Sequence, residues 1–252
     1  MAILGIDIGG SGVKGAPVDP EHGELLAERY RVVTPQPSDV TSVVDAVAEV
    51  AAQFSGYERV GVTFPGVVVD GVTRTAANVD KSWVDAPAAQ LFADRLGVPV
   101  TVLNDADAAG VAEVAFGGHD QNGLLVMLTF GTGIGSALFL NGTLIPNTEF
   151  GHLELDGKDA ELRASDRARE EGDLSWEKWA GRVQDYLRHL EMLLSPRLFV
   201  VGGGVSKKSD KFFPLIDIRT PIVPATLLNN AGIIGAAVTA QLAAGKPSTI
   251  GS

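Results

Sequence analysis

The chain has 252 residues, 45% of them hydrophobic and 20% charged, an ordinary globular balance for one large domain or two small ones. Its net charge of -11 and pI of about 4.8 argue against a general nucleic-acid binder, and any polyanionic ligand would have to be held by local donors and lysines. It has no cysteine, which excludes disulfides and thiolate metal sites. With no basic leader and no apolar run of about 18 residues, the expected setting is the cytoplasm, away from membranes.

Residues 2–8 read as an apolar strand closed by Asp7-Ile8-Gly9-Gly10-Ser11-Gly12, and residues 13–18 as its partner across a Gly-rich hairpin turn. Residues 25–33 alternate loosely as a third strand, and Thr34-Pro35-Gln36-Pro37-Ser38 breaks the pattern. Asp39 or Thr41 then caps a helix with Val43, Val44, Val47, Val50, Ala51 and Phe54 at helical spacing. A β-branched strand at 59–64 stops at Pro65-Gly66, with 67–69 at an edge, and residues 73–84 are expected to be a surface loop. A helix at 87–96, a buried strand at 98–103 and a small-residue helix at 106–116 follow.

A second Gly-rich hairpin spans 123–130 and 134–140 around Gly131-Thr132-Gly133-Ile134-Gly135. Residues 149–168 are polar and charged. Residues 175–194 form a long amphipathic helix with Trp176, Trp179, Val183, Tyr186, Leu187, Leu190 and Leu194 on one face, available to a core or to a dimer. A strand at 198–201 runs into Gly202-Gly203-Gly204, residues 229–242 form a small-residue helix, and the tail at 245–252 looks frayed.

The stretch Val102-Leu103-Asn104-Asp105-Ala106-Asp107 puts carboxylates at the C-terminal end of a strand and the lip of a helix, where open α/β sheets place their chemistry. Asn104, Asp105 and Asp107 are all able to cap the helix, more than one cap needs. On this stretch alone, capping and a general base at Asp105 stand side by side. Strand, Gly-rich turn and strand occur at 4–18 and again at 126–140, which suggests a duplicated domain with two facing phosphate-binding hairpins. Successive N–H groups in such turns form anion nests, Lys14 adds a point charge, and Asp7 is placed to hold hydrated magnesium. Neither turn fits the P-loop or dinucleotide pattern, and each alone also reads as a plain turn; together they raise phosphoryl transfer above other reactions.

Four stretches, Asp7 to Lys14, Leu103-Asn104-Asp105-Ala106, Phe130 to Gly135 and Val201-Gly202-Gly203-Gly204-Val205, resemble in order the motifs of the repressor/open-reading-frame/kinase (ROK) sugar kinases, within the actin-like ATPase superfamily. The resemblance implies a two-domain α/β, ribonuclease H-like fold, each domain with a hairpin-containing mixed sheet, and a sugar in an interdomain cleft. The small first domain would take residues 1–106, with a C-terminal helix near 231–243 packing back on it, and the larger second domain 107–230. Asp105 becomes the base on the sugar's 6-hydroxyl, Asn104 and Gly66 sugar contacts, and Asp107 the cap. Gly9, Gly10, Ser11 and Gly12 in the first turn and Thr129, Gly131, Thr132 and Gly133 in the second would hold phosphates, with Asp7 and Lys14.

Glu149-Phe150-Gly151-His152 is similar to the family's Glu-x-Gly-His motif, so Glu149 and His152 are expected at sugar hydroxyls. In most relatives that histidine also ligates zinc beside a cysteine-rich loop. This chain has no cysteine and too short a segment at 155–160, so no zinc site is expected. Glu161 resembles the glutamate after that loop and is a further candidate sugar ligand, against the plain alternative of a solvated loop charge. Asn78-Val79-Asp80-Lys81-Ser82-Trp83 and Gly203 to Phe212 resemble the family's polyphosphate-using branch. This places Asn78 at the sugar and Lys207, Lys208 and Lys211 on a phosphate track that Lys81 and Arg163 would extend. The implied reaction is phosphoryl transfer from inorganic polyphosphate, and ATP, to glucose, with magnesium and a homodimer. The alternative is an ATP-dependent kinase for mannose or an N-acyl hexosamine. A repressor or a non-catalytic sugar sensor fits less well, because the chain lacks a helix-turn-helix pattern and keeps Asp105.

Overall fold

A computed structural model describes residues 2–245; the tail expected to fray lies, past Gly245, outside the described residues. The chain forms two compact units, one running to Phe116 and resuming at Asn230, the other Gly117–Asn229.

The first unit begins with β1 (Ile3–Gly9) and β2 (Gly12–Asp19), an antiparallel hairpin that sets Asp7 opposite Lys14 and Gly9 opposite Gly12. The loosely alternating third strand is two short ones, β3 (Glu24–Leu25) and β4 (Tyr30–Val32), both paired to β2. Asp39, not Thr41, caps α1 (Val40–Ala51), accepting the Ser42 N–H at 2.9 Å, and Val43, Val47 and Val50 face the core. β5 (Val60–Phe64) runs parallel to β1; β6 (Val68–Val69) and β7 (Val72–Thr73) form a separate ribbon; α2 (Ala88–Leu96) follows. β8 (Val100–Asn104) completes the sheet in the order β3-β2-β1-β5-β8 and leads directly into α3 (Asp105–Phe116).

The segment at 73–84 is not a plain surface loop. Its 3-10 turn Lys81–Trp83 buries Trp83 completely between Phe64 and Phe92, at centroid distances of 5.0 and 5.7 Å. The indole N–H donates to the Ser38 carbonyl at 3.2 Å, so one aromatic anchor does what no periodic pattern announces.

The second unit repeats the plan. β9 (Leu124–Phe130) and β10 (Ile134–Leu140) make the hairpin, β11 (Thr143–Ile145) extends it, and β12 (Glu154–Leu155) with β13 (Lys158–Asp159) form a small ribbon. The polar stretch also holds α4 (Glu161–Ala164) and α5 (Asp166–Glu171). α6 (Trp176–Leu194), capped by Ser175, buries Trp179, Val183, Tyr186, Leu187 and Leu190, so its apolar face is core. β14 (Leu198–Gly202) and β15 (Ile222–Pro224) add in parallel, giving the order β11-β10-β9-β14-β15. Each sheet is therefore one antiparallel hairpin extended by two parallel strands.

The chain then returns to the first unit as α7 (Ala231–Ala244). This helix lies against β1 and β5 so closely that a Cβ at Gly5 or Gly61 would fall 2.0 or 1.9 Å from the carbonyl oxygens of Ile233 and Ala236. α3 packs on α7 as well, which is why the first unit extends to Phe116 rather than ending at 106. Among the described residues no helix is long and apolar enough to cross a membrane.

Candidate active site

In the first unit, strand β8 delivers Asn104 and Asp105 to the start of α3. The Asn104 side chain is buried; its Oδ1 accepts the N–H groups of Ala106 at 2.8 Å and Asp107 at 3.1 Å, while Nδ2 donates to the Gly66 carbonyl at 3.2 Å. Asn104 is therefore the cap, and Asp107, one turn too deep for that role, is buried in the helix. With capping done by its neighbour, Asp105 is left exposed at the helix N-terminus, its Oδ1 2.8 Å from the Ala106 nitrogen. The helix dipole favours negative charge there.

The β1–β2 turn presents Gly10 and Ser11 to solvent above Gly9 and Gly12. Below it, Asp7 Oδ2 pairs with Lys14 Nζ at 3.0 Å, and Asp7 Oδ1 accepts the Thr63 hydroxyl at 2.7 Å. Arg31 on β4 lies opposite Lys14 and donates to the Ser11 carbonyl at 2.5 Å, a cation at the turn that the sequence reading missed. A charged residue alone in a half-buried strand was its only signal. Asn78, exposed with φ at 60°, stands beside Gly10, while Lys81 is exposed in the turn that anchors Trp83. Asp7 retains lone pairs beyond those given to Thr63 and Lys14. One hard carboxylate beside an anion-binding turn fits the way Mg²⁺ is held, through few protein oxygens with phosphate and water completing the shell.

In the second unit the turn after β9 is closed by the Gly131 N–H donating to the Gly133 carbonyl at 3.0 Å, and Thr132 is exposed at its tip. Thr129 pairs opposite Gly135 and Gly202. Glu161 reaches the turn: its Oε2 accepts the Ile134 N–H at 3.1 Å, and a Cβ on Gly133 would lie 2.3 Å from that oxygen. Glu161 is thus no solvated loop charge, and one of its oxygens braces the turn.

Ser136 holds the segment before Glu149, donating to the Thr148 carbonyl at 2.7 Å and accepting the Phe150 N–H at 3.0 Å. Burial pushes the half-buried Glu149 carboxyl above the usual range; nearby His152 opposes this and Glu161 reinforces it. His152 is held above its ordinary value chiefly by a hydrogen bond between its Nδ1 and Asp159 Oδ2 at 2.9 Å, with Glu161 and Glu149 adding to it against desolvation. Ligand atoms of His152, Asp159 and Glu161 lie within 4.8 Å of one another, a nitrogen and oxygen set without the family's thiolates. Asp159 was not singled out from the sequence, since its role depends on a ribbon too short to predict. Arg163 pairs with Asp156, and its carbonyl accepts from Arg182 at 3.3 Å. After Gly202, Gly203 and Gly204, the residues Lys207, Lys208 and Lys211 are exposed on the 3-10 segment Gly204–Lys211. None of the three has a carboxylate partner among the described residues.

Each unit thus offers a Gly-rich turn between paired strands; the first adds an exposed carboxylate at a helix start, and the second a cluster of His152, Asp159 and Glu161. The profile of the ROK family matches residues 3–172. The polyphosphate glucokinase of Mycobacterium tuberculosis is 53% identical over 93% of this chain and 89% of its own. The crystal structure of an inorganic polyphosphate/ATP-glucomannokinase from Arthrobacter sp. strain KM matches with a TM-score of 0.92 at 52% identity, covering 96% of this chain and 99% of that one. A ROK family glucokinase from Streptomyces griseus, in complex with glucose and AMPPNP, matches with a TM-score of 0.83 at 26% identity over 96% and 100%.

Proposed function

Because this chain belongs to the ROK family, we propose that it transfers a phosphoryl group from inorganic polyphosphate, with ATP as a second donor, to the 6-hydroxyl of glucose, giving glucose 6-phosphate. The observation that carries this reading is the β8–α3 junction. There a buried asparagine takes the helix cap, and Asp105, exposed beside it with its Oδ1 on the Ala106 N–H, stands where a base is needed. Phosphoryl transfer asks little covalent chemistry of a protein: positioning, charge stabilisation, and one group to accept the hydroxyl proton.

Asp105 takes the proton of the 6-hydroxyl as its oxygen attacks the terminal phosphorus, and the donor leaves one phosphate shorter. The second hydrogen on Asn104 Nδ2 remains for a sugar oxygen. Gly66, fixed by Asn104, and Asn78 complete the sugar contacts of the first unit. Glu149, His152 and the second oxygen of Glu161 are assigned to sugar hydroxyls as well. The backbone N–H groups of Gly9, Gly10, Ser11, Gly12, Thr132 and Gly133, with Thr129 and Lys14, hold phosphate oxygens, and Gly131, whose N–H closes the second turn on the Gly133 carbonyl, sets its shape. The donor continues along Gly202, Gly203 and Gly204 to Lys207, Lys208 and Lys211.

Phosphoryl transfer of this kind runs with a divalent metal on the phosphates, and magnesium at Asp7 is our specific assignment, where it would neutralise charge on the donor. A cytoplasmic setting and a homodimer complete the proposal; Met192 and Leu193, exposed at the end of α6, are apolar surface open to a second copy. The similarity to an enzyme named glucomannokinase favours mannose as a second acceptor.

The test is a matrix of polyphosphate, ATP and GTP against glucose, mannose and N-acetylated hexosamines, scored by sugar phosphate formed. Polyphosphate and ATP should both phosphorylate glucose, with mannose next. Activity with ATP alone, or on hexosamines alone, rejects the reading.

A further inference from the structure

In the second unit, cations from two segments converge on one indole. Trp176, the first residue of α6, is stacked on Phe212 with centroids 6.2 Å apart and planes at 16°, and meets Trp179 edge-on at 5.8 Å, so its ring is fixed. The guanidinium carbon of Arg169 stands 4.6 Å from its centroid, Lys208 Nζ at 5.8 Å and Lys211 Nζ at 5.7 Å. All three lie within cation–π range.

Their partners differ. Arg169 is paired with Asp166 at 2.8 Å and Glu170 at 3.0 Å, whereas Lys208 and Lys211 have no carboxylate partner among the described residues. With 31 acidic against 20 basic side chains in the chain, carboxylates are plentiful, so leaving two adjacent lysines unneutralised departs from the surrounding surface. An aromatic face attracts a cation without cancelling its charge. Trp176 therefore gathers lysines while keeping them available to an anion, which a carboxylate would not do.

The location gives the anion. Gly202 of β14 is paired with Thr129 of β9, so the lysine-bearing segment leaves the same sheet end as the Gly131–Gly133 turn. α5, which carries Arg169, is tied to that turn by the Arg167 N–H donating to the Gly131 carbonyl at 3.1 Å. Both cation-bearing segments thus start at the phosphate turn and meet again at Trp176.

We propose that Trp176, Arg169, Lys208 and Lys211 form a donor-tail subsite for the stretch of an inorganic polyphosphate chain beyond the transferring phosphoryl group. Trp176 is its positioning residue. The proposal rests on polyphosphate being the donor. A polyphosphate chain continues to present charge along its length, while ATP gives way to a nucleoside after its third phosphate, so the subsite separates the two donors.

The experiment uses the full chain and three variants, Trp176→Leu, Trp176→Phe and Lys208→Gln with Lys211→Gln. Calorimetric titration with long-chain inorganic polyphosphate alone is set beside steady-state kinetics with polyphosphate and with ATP. Trp176→Leu should weaken polyphosphate binding and raise its KM by roughly tenfold without a matching change in the KM for ATP, and Trp176→Phe should recover most of the loss. The double lysine variant should weaken polyphosphate binding and flatten its salt dependence. A KM shift shared by both donors, or unchanged polyphosphate binding in Trp176→Leu and the lysine variant, overturns the subsite. Wild-type protein that binds polyphosphate through these residues without turning it over keeps the subsite and removes polyphosphate from the proposed reaction. Wild-type turnover of polyphosphate with both variants indifferent removes the subsite alone.

Discussion

The two hairpins share a backbone plan and differ in where their charge comes from. The β1–β2 hairpin contains its own ions, with Asp7 and Lys14 paired across the strands, and Arg31 arrives from the strand alongside. The β9–β10 hairpin has no ionisable side chain in either strand or in its turn; its charge is supplied from outside, by Glu161 on the Ile134 N–H. The first turn is thus a net gatherer of cations, suited to phosphate by Coulomb attraction. The second is closed by the Gly131 N–H on the Gly133 carbonyl and carries an acid at its shoulder, within reach of His152 and Asp159. The same backbone plan is thus divided between one half that carries its own charge and another in which Glu161 links the turn to His152 and Asp159.

The sharpest way to break that division is at Asp105. Asp105→Asn preserves shape while removing the proposed base, and kcat should fall by roughly 100-fold or more with glucose affinity nearly intact. A kcat close to wild type would move the chemistry away from the first unit. The next largest effect is expected at the link itself. Gly133→Ala puts a methyl group where Glu161 Oε2 now sits, so the Ile134 N–H loses its acceptor. The KM values for donor and glucose should rise together, each by roughly tenfold, the scale of one charge-assisted hydrogen bond. A rise for the donor alone would make Glu161 a brace for the turn and nothing more.

The smallest effect concerns pH. The hydrogen bond to Asp159 raises the His152 pKa, so the stability it contributes is full below the ordinary histidine value and is lost as pH rises through the elevated one. Asp159→Asn should bring His152 down toward its ordinary pKa, seen by NMR titration of the ring, and shift the pH dependence of the glucose KM in the same direction. Because both partners are about half exposed, the stability change below neutral pH should stay under about 1 kcal/mol in denaturant titrations. An unmoved His152 titration would mean that Asp159 does not set its charge.

Much of this was readable from local chemistry. Both hairpins, a cap at Asp39 or Thr41 and the helix at 175–194 declare themselves through glycine, capping residues and apolar spacing within a few positions of one another, and the structure settles the cap on Asp39. The β8–α3 junction was readable too, but its division of labour was not. Asn104 and Asp107 are both good cap residues by type, and only the placement of Asn104 as the last strand residue, reaching back over the first turn and across to Gly66, decides between them. What stayed hidden depends on partners far along the chain. Trp83 meets Ser38 and Phe64, Arg31 meets Ser11, and Trp176 meets Lys208 and Lys211; no short window of sequence contains those pairs.

The return of α7 bears on how the molecule is made. During synthesis the β1–β2 hairpin leaves the ribosome before the second unit, yet the surfaces of β1 and β5 that carry Gly5 and Gly61 wait for a helix that starts only at Ala231. Every segment of the other unit is already in hand by Asn229, so that unit can close while the older part of the chain stands open. This late helix therefore acts as a completion signal: until it docks, the half bearing Asp105 lacks one wall, and a chain stopped before Ala231 would keep a foldable β9–β10 turn beside an unfinished β8–α3 junction.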